Sequence, residues 1–191
     1  MFIKTLLKND VCPLSHGRSS KYRILMKNVY IVMGVSGCGK STIGKMLSER
    51  LEIPFYDADD FHPQVNIDKM ASGTPLQDED RWPWLDSLAL EIQQWSSDKG
   101  AVLACSALKE SYRERLFSNS AFAKAKQNFI YLDANFEALS KRLASRKNHF
   151  FDPSLLQSQF DTLEVPNYGV HVEATLAKED IIRRIQQIIE Q

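Results

Sequence analysis

A bias of charge is the first thing this sequence lacks. Lys and Arg number 24, Asp and Glu also 24, and the formal net charge is zero. The basic excess with which a protein seeks nucleic acid or an anionic membrane surface is therefore absent, and neither is expected as a partner. No apolar run approaches the roughly 20 residues of a spanning helix. Cysteine is scarce: Cys12, Cys38 and Cys105 are scattered, without the paired spacing of a zinc site or a disulfide framework. Reduced thiols and a cytoplasmic setting follow as the expectation. There is no internal repeat, no low-complexity tract and no Asn-Lys-x-Asp signature of guanine-specific switches. At 191 residues the chain is short for a motor or a helicase, but long enough for one α/β domain with a sizeable core.

What is present centres on Gly34-Val35-Ser36-Gly37-Cys38-Gly39-Lys40-Ser41, which fits G-x-x-x-x-G-K-[ST], the phosphate-binding loop of nucleotide triphosphate enzymes. Its context fits as well. Val29-Tyr30-Ile31-Val32-Met33 reads as a buried strand, and residues 42–51 read as a helix. Glycines let backbone N–H groups close around phosphate oxygens, and the helix N-terminus adds partial positive charge. Gly34, Ser36, Gly37, Cys38, Gly39 and Thr42 are thus expected around the nucleotide phosphates. Lys40 supplies a full charge to the β/γ-phosphates, and the Ser41 hydroxyl is placed to ligate Mg²⁺.

The rest of the chain alternates strands and helices. Strands are predicted at 55–57, 101–105, 129–132 and 170–172. Helices are predicted at 64–72 (ended by Gly73), 79–97 (Pro83 in its first turn), after a Ser106 cap, at 135–147, from an Asp152-Pro153 start toward Pro166, and at 179–189. The fold class is a three-layer αβα sandwich around a parallel sheet of about five strands, of the phosphate-loop, nucleoside-monophosphate-kinase-like kind. Residues 1–25 stand apart, with five Lys or Arg against Asp10. They read as a poorly ordered, dispensable extension, with an upstream start or a transit peptide as alternatives. Residues 26–191 form the kinase domain.

Ligands of open parallel sheets sit outside the strand C-termini, which puts Asp59 and His62 beside the phosphate loop. Asp59 is placed to accept a proton from an attacking hydroxyl or to order the metal's waters. Asp133, ending an apolar strand, is the other carboxylate that could serve a metal; its position before Asn135 equally suits a turn or a helix cap. Lys109 and Arg113 share a helix face near the crevice, where they could hold an anion or pair with Glu110 and Glu114. Arg81 could be a local ion pair or a further anion ligand. Arg142 and Arg146 repeat the four-residue spacing; they suit a helix C-terminus, or a closing segment that neutralises transition-state charge. Trp82, Trp84 and Trp95 read as core or interface residues.

Taken together, the phosphate loop, Asp57-Ala58-Asp59-Asp60-Phe61-His62-Pro63, Asn66-Ile67-Asp68-Lys69-Met70, Gly73-Thr74-Pro75-Leu76, Asp78-Glu79-Asp80-Arg81, Pro83-Trp84-Leu85, Cys105-Ser106-Ala107-Leu108-Lys109, Tyr112-Arg113 and Arg146-Lys147-Asn148-His149-Phe150-Phe151 resemble the gluconokinase family. The likeness runs from about Val29 to Pro166. It implies ATP-dependent phosphorylation of D-gluconate at the 6-hydroxyl, with Mg²⁺, by a homodimer carrying a lid at about 147–166. It implies Lys40, Asp59 and Arg146 as catalytic residues, Ser41 and Asp59 toward the metal, and Arg142 and Arg146 on the nucleotide side of the lid. Asp59, His62, Arg81, Ser106, Lys109 and Arg113 would hold the acceptor. The alternatives are a kinase of another small sugar acid and a non-catalytic ATP-binding module. The adenine contacts, near residues 167–175, stay open.

Overall fold

Five buried residues in succession, three of them valine or isoleucine, make Val29–Met33 (β1) the central strand of the molecule. The computed structural model describes residues 27–117, 125–144 and 153–190. Beside β1 stand Phe55–Asp57 (β2), Ala101–Ala104 (β3), Phe129–Asp133 (β4) and Val170–Glu173 (β5). The sheet order is β2-β3-β1-β4-β5 and every pairing is parallel. Register is set by Ile31 opposite Leu103 on one side and Phe129 on the other.

Helices connect the strands: Lys40–Leu51 (α1), Gln64–Ala71 (α2), Asp78–Ser97 (α3), Glu110–Leu116 (α4), Phe136–Ala144 (α5), Pro153–Thr162 (α6) and Lys178–Ile189 (α7). A 3₁₀ turn, Ala58–Phe61, follows β2. Strand alternation divides the core in two. Tyr30, Val32, Ile130, Leu132, Val170 and Val172 face Ile43 and Leu47 of α1, Leu139 and Leu143 of α5 and Ile181, Ile182 and Ile185 of α7. Val29, Ile31, Met33, Leu103, Phe129 and Tyr131 face Trp84, Leu85, Leu88, Ile92 and Trp95 of α3 and Tyr112 and Leu116 of α4. Burying each such side chain stabilises the fold by roughly 1.5–3 kcal/mol. The three-layer αβα sandwich with a five-stranded parallel sheet is the observed architecture.

Two details differ from the sequence reading. Ser106 caps no helix: α4 begins at Glu110 with Lys109 in the cap position, and no side chain bonds there as a cap. Pro83 is the sixth residue of α3, beyond the first turn, so the Glu79 carbonyl has no helical N–H to accept from. The start of α3 is fixed by a capping box, in which the Asp80 carboxylate accepts from the Gln77 N–H at 2.9 Å and the Gln77 side chain returns the bond. Asn135 does cap α5, its Oδ1 accepting from the Ala138 N–H at 2.8 Å. The extension at 1–25, Arg146 and the first part of the expected lid (147–152) lie outside the described residues.

Candidate active site

The chain turns sharply as it leaves β1. Gly34, Gly37 and Gly39 all have positive φ, and Gly39, at +110°, immediately precedes α1 in a conformation that an L side chain resists. At Gly34 a Cβ would also stand 3.0 Å from the Leu132 carbonyl oxygen and 3.0 Å from Cys38 Sγ. Lys40 curls over the loop and donates to the Val35 carbonyl at 3.2 Å. Arg142, on α5, directs its guanidinium at the Cys38 and Gly37 carbonyls (3.4 and 3.5 Å) and the Ala174 carbonyl (3.5 Å). Cys38, Gly39, Thr42 and Ile43 together with Arg142, Ala174, Leu176 and Lys178 line a cleft of about 280 Å³ beside the loop. Ala174 falls within the window left open for adenine; Leu176 and Lys178 lie just past it. Burial pushes the Cys38 thiol pKa up, so it takes no part as a thiolate.

The Ser41 hydroxyl donates to Asp57 Oδ2 at 2.7 Å, so the carboxylate touching the loop is Asp57 at the end of β2. Its other oxygen accepts from the Asp59 N–H at 3.3 Å, which caps the 3₁₀ turn. Trp84 holds the same turn, its indole N–H donating to the Ala58 carbonyl at 2.9 Å. Asp59 is exposed, yet enough protein surrounds it that lost solvation raises its pKa from the usual carboxylate value. The nearby Asp57 pushes the same way; Lys40 and His62 oppose. His62 stacks on Trp84 with ring centroids 4.2 Å apart. Burial above all, and then Arg81, lower its pKa, which keeps the imidazole neutral near pH 7. Beneath it Asn66, 1% exposed, reaches His62 Nδ1 at 3.4 Å and donates to the Asp80 carbonyl at 2.9 Å.

Farther along the wall, Asp78 organises a cationic cluster. Lys109 Nζ donates to both its oxygens, at 2.9 and 2.8 Å, and the Tyr112 hydroxyl donates to Oδ1 at 2.5 Å. Arg81 lies 3.8 Å from Asp78 and donates to the Leu76 carbonyl at 2.7 Å. Arg81 and Lys109 both sit over the Tyr112 ring, at 5.6 and 5.4 Å. These bonds hold the Asp78 carboxyl below its usual pKa. Lys69 pairs with Asp80 at 2.5 Å, two residues along α3 from Asp78.

Arg113 does not join this cluster. Its side chain is 1% exposed, and its fork donates to the Ala107 and Leu108 carbonyls (2.8 and 3.0 Å), the Glu164 carbonyl (2.8 Å), the Tyr168 hydroxyl (2.9 Å) and Glu110 Oε2 (2.9 Å). A guanidinium so surrounded braces the loop that presents Lys109 and has no face left for an anion. Ser106 contributes its carbonyl to the Gly34 N–H at 3.4 Å. Asp133 ends β4 exposed, accepting from the Tyr131 hydroxyl at 3.2 Å, and its backbone carbonyl takes the Ala174 N–H at 2.6 Å. Asp57, Asp78 and Gln159 were not singled out from sequence. Asp57 carried a signal, the Asp-x-Asp spacing at a strand end next to the phosphate loop, and Asp78 another, its place three residues before Arg81; Gln159 acts across a long sequence separation and carried none.

Likeness to known proteins agrees with this geometry. The family model of shikimate kinase matches residues 36–189. A probable gluconokinase of Schizosaccharomyces pombe is 46% identical over 144 residues, covering 73% of this chain and 74% of that protein. A probable gluconokinase of Dictyostelium discoideum is 41% identical over 170 residues, 86% of this chain and 84% of the other. The chain belongs to the gluconokinase family, among shikimate-kinase-like enzymes. The crystal structure of a gluconokinase from Sinorhizobium meliloti superposes with a TM-score of 0.76 at 37% identity, covering 85% of this chain and 91% of that one. A gluconokinase family member is a phosphate-loop kinase, and the non-catalytic alternative is not favoured.

The donors at Ser41 and Asp57 suit a hard divalent cation, since a hydroxyl and a carboxylate oxygen meet at the end of the loop. Among the described residues no group of three or more His, Cys, Asp or Glu could hold a metal unaided. A cation there would share its shell with phosphates and water, which is the habit of Mg²⁺. Among the same residues no helix is long and apolar enough to cross a membrane.

Proposed function

We propose that this enzyme transfers the γ-phosphoryl group of ATP to the 6-hydroxyl of D-gluconate, giving 6-phosphogluconate and ADP. One observation carries the reading: Asp57 accepts from the Ser41 hydroxyl at 2.7 Å and from the Asp59 N–H at 3.3 Å, which fixes the turn bearing Asp59 and His62 against the donor loop. A proton acceptor thus stands where the two substrates would meet. The phosphate loop and Lys40 hold the β- and γ-phosphates, and the cleft beside Arg142 and Leu176 takes the adenine. Gluconate enters with its carboxylate toward Arg81 and Lys109. Two cations share the single carboxylate of Asp78, which leaves positive charge for an acid substrate. Neutral His62, backed by buried Asn66, offers hydrogen bonds along the polyol.

Asp59 takes the proton of the 6-hydroxyl as that oxygen bonds to the γ-phosphorus, while the bond from phosphorus to the β,γ-bridging oxygen breaks and ADP departs. Lys40 neutralises charge that gathers on the phosphoryl oxygens. Arg146, expected on the lid, belongs to the same reading. Mg²⁺, held toward Ser41 and Asp57, would supply charge neutralisation between the β- and γ-phosphates when bound. A homodimer in the cytoplasm completes the proposal; sedimentation of the full chain reads the first part and imaging of a tagged copy the second.

Coupled ADP-release assays across gluconate, idonate, keto-gluconates, shikimate and nucleoside monophosphates test the acceptor. Turnover on gluconate at least ~100-fold above the rest in kcat/KM is expected, because a site built to pair a carboxylate and a hydroxyl row rejects ligands lacking either. A preference for another sugar acid would replace gluconate in the scheme and leave the phosphoryl chemistry standing.

A further inference from the structure

Two ends of one short segment grip opposite walls of the cleft. From α6, Gln159 Oε1 accepts from the Ser36 N–H at 2.6 Å, across 123 residues of sequence. Just past the same helix, Glu164 is held on the acceptor side by three bonds. Its N–H donates to the Leu108 carbonyl at 2.9 Å, its Oε2 accepts from the Glu110 N–H at 2.6 Å, and its carbonyl accepts from buried Arg113 at 2.8 Å. Leu108 and Glu110 flank Lys109, the cation expected to meet the sugar acid.

The helix that carries Gln159 is not free to slacken. Leu156 is 2% exposed in the core formed with Leu139 and Leu143, and Phe160 meets Phe136 edge to face at 5.8 Å. The receiving loop is itself constrained. Ala107 holds φ at +43°, a left-handed conformation that is uncommon for an alanine, and the Arg113 fork fixes the Ala107 and Leu108 carbonyls. Gln159 and Glu164 thus join Ser36 of the phosphate loop to the backbone on either side of Lys109.

We infer that Gln159 and Glu164 are positioning residues for phosphoryl transfer: through them one segment ties the donor loop to the acceptor loop, so that filling either site orders the other. The inference rests on the kinase reading above, and assigns it a mechanism of substrate coupling. Neither residue touches reacting atoms in this account. Because ordering is shared, the second substrate binds to a protein already arranged for it, and affinities rise together.

The test is the affinity of the full chain for gluconate with and without AMP-PNP and Mg²⁺, by calorimetry. The wild type should bind gluconate at least ~5-fold more tightly with the nucleotide present, within the ordinary range of coupling between sites. Gln159→Met, which keeps length and helix propensity, and Glu164→Ala should each bring that ratio to within about twofold of one, and the loss should be the same when the nucleotide is titrated instead. Gln157→Ala, an exposed residue of the same helix, should leave the ratio as in the wild type. Amide hydrogen exchange gives a readout independent of the acceptor. AMP-PNP alone should slow exchange at Glu110 and Glu164 in the wild type and not in Gln159→Met. A ratio of one in the wild type overturns the inference. So does a ratio, or a slowing of exchange, that survives Gln159→Met; coupling would then run through the Gly34–Ser106 backbone bond. Absence of wild-type turnover on gluconate strikes the acceptor assignment instead, and the exchange measurement still judges the inference.

Discussion

The two halves of the cleft are built in opposite ways. The donor half is nearly continuous in sequence: strand, six-residue loop and helix follow one another from Val29 to Leu51, and its contacts with Asp57, Arg142 and Gln159 join a site whose backbone is local. The acceptor half is assembled from three distant pieces. Asp59 and His62 come from the turn after β2, Asp78 and Arg81 from the start of α3, and Lys109 from the loop after β3. Backbone geometry makes the first site; side-chain pairing makes the second. A substitution on the donor half should thus alter chemistry with little effect on the fold, while the acceptor half depends on residues of two kinds, those that meet the substrate and those that brace the loops carrying them.

The sharpest break in that comparison is at the point of contact between the halves. Asp59→Asn should lower kcat by ~10²–10⁴, the range of a general base, with nucleotide affinity preserved. The same substitution should raise the melting temperature near neutral pH. A carboxylate whose folded-state pKa is raised by burial holds its proton more tightly in the folded protein. Its contribution is favourable at low pH and is lost as pH climbs through the folded-state value. The gain from asparagine should therefore vanish on acidification through the ordinary carboxylate range. Unchanged turnover, or a melting temperature that falls at pH 7, would remove Asp59 from the role.

Arg113 separates a brace from a ligand. Arg113→Met strands the carbonyls of Ala107, Leu108 and Glu164, which should cost about 3 kcal/mol, since a buried unpaired acceptor is worth ~1–3. Lysine should not rescue it, because one ammonium cannot reproduce the planar fork. Urea unfolding reads this directly. Full stability joined to a large rise in gluconate KM would restore Arg113 to the acceptor.

Lys109 should behave the other way. Lys109→Met should raise gluconate KM ~10–100-fold with ATP KM and stability little changed, from the loss of a charged hydrogen bond of about 2 kcal/mol. Much of that loss comes from Asp78, which would face an anionic substrate without its cation. The double variant with Asp78→Asn should consequently recover part of the affinity. Additive losses in the pair would exclude this account.

How much of this could be read from the chain follows the same division. The phosphate loop, the five strands and the Asn135 cap are local patterns, and local patterns survive into the fold. Asp59 and His62 could be named from their place after a strand C-terminus, because topology brings those ends together, whereas Arg81 stayed open between an ion pair and an anion ligand. Arg113 could not be sorted. Four residues along a helix from Lys109 looks like a shared face, but α4 starts only at Glu110 and Lys109 lies in its cap position, so the two side chains diverge. The burial of Arg113 depends on Glu164 and Tyr168, more than fifty residues away. Gln159 was invisible for the same reason. Nothing near it in sequence signals that a helix side chain will reach the Ser36 N–H.

The smallest expected effect tests the donor half alone. Two carboxylates end strands near the phosphate loop, and only Asp57 bonds the Ser41 hydroxyl. Asp133 lies across β1 from it in the sheet order, exposed and engaged with Tyr131. If metal support follows contact with Ser41, Asp57→Asn should raise the Mg²⁺ concentration for half-maximal rate by ~10-fold, the lower end of what outer-shell changes do to metal affinity. Asp133→Asn should leave both that concentration and kcat within about twofold of the wild type, as surface substitutions ordinarily do. The pair is informative because an apolar strand ending in Asp is the usual sequence signature of a metal-holding carboxylate, and Asp133 matches it better than Asp57 does. A Mg²⁺ dependence shifted by Asp133→Asn and untouched by Asp57→Asn would mean that sequence pattern outranks the observed contact, and the donor half would then need rebuilding around β4.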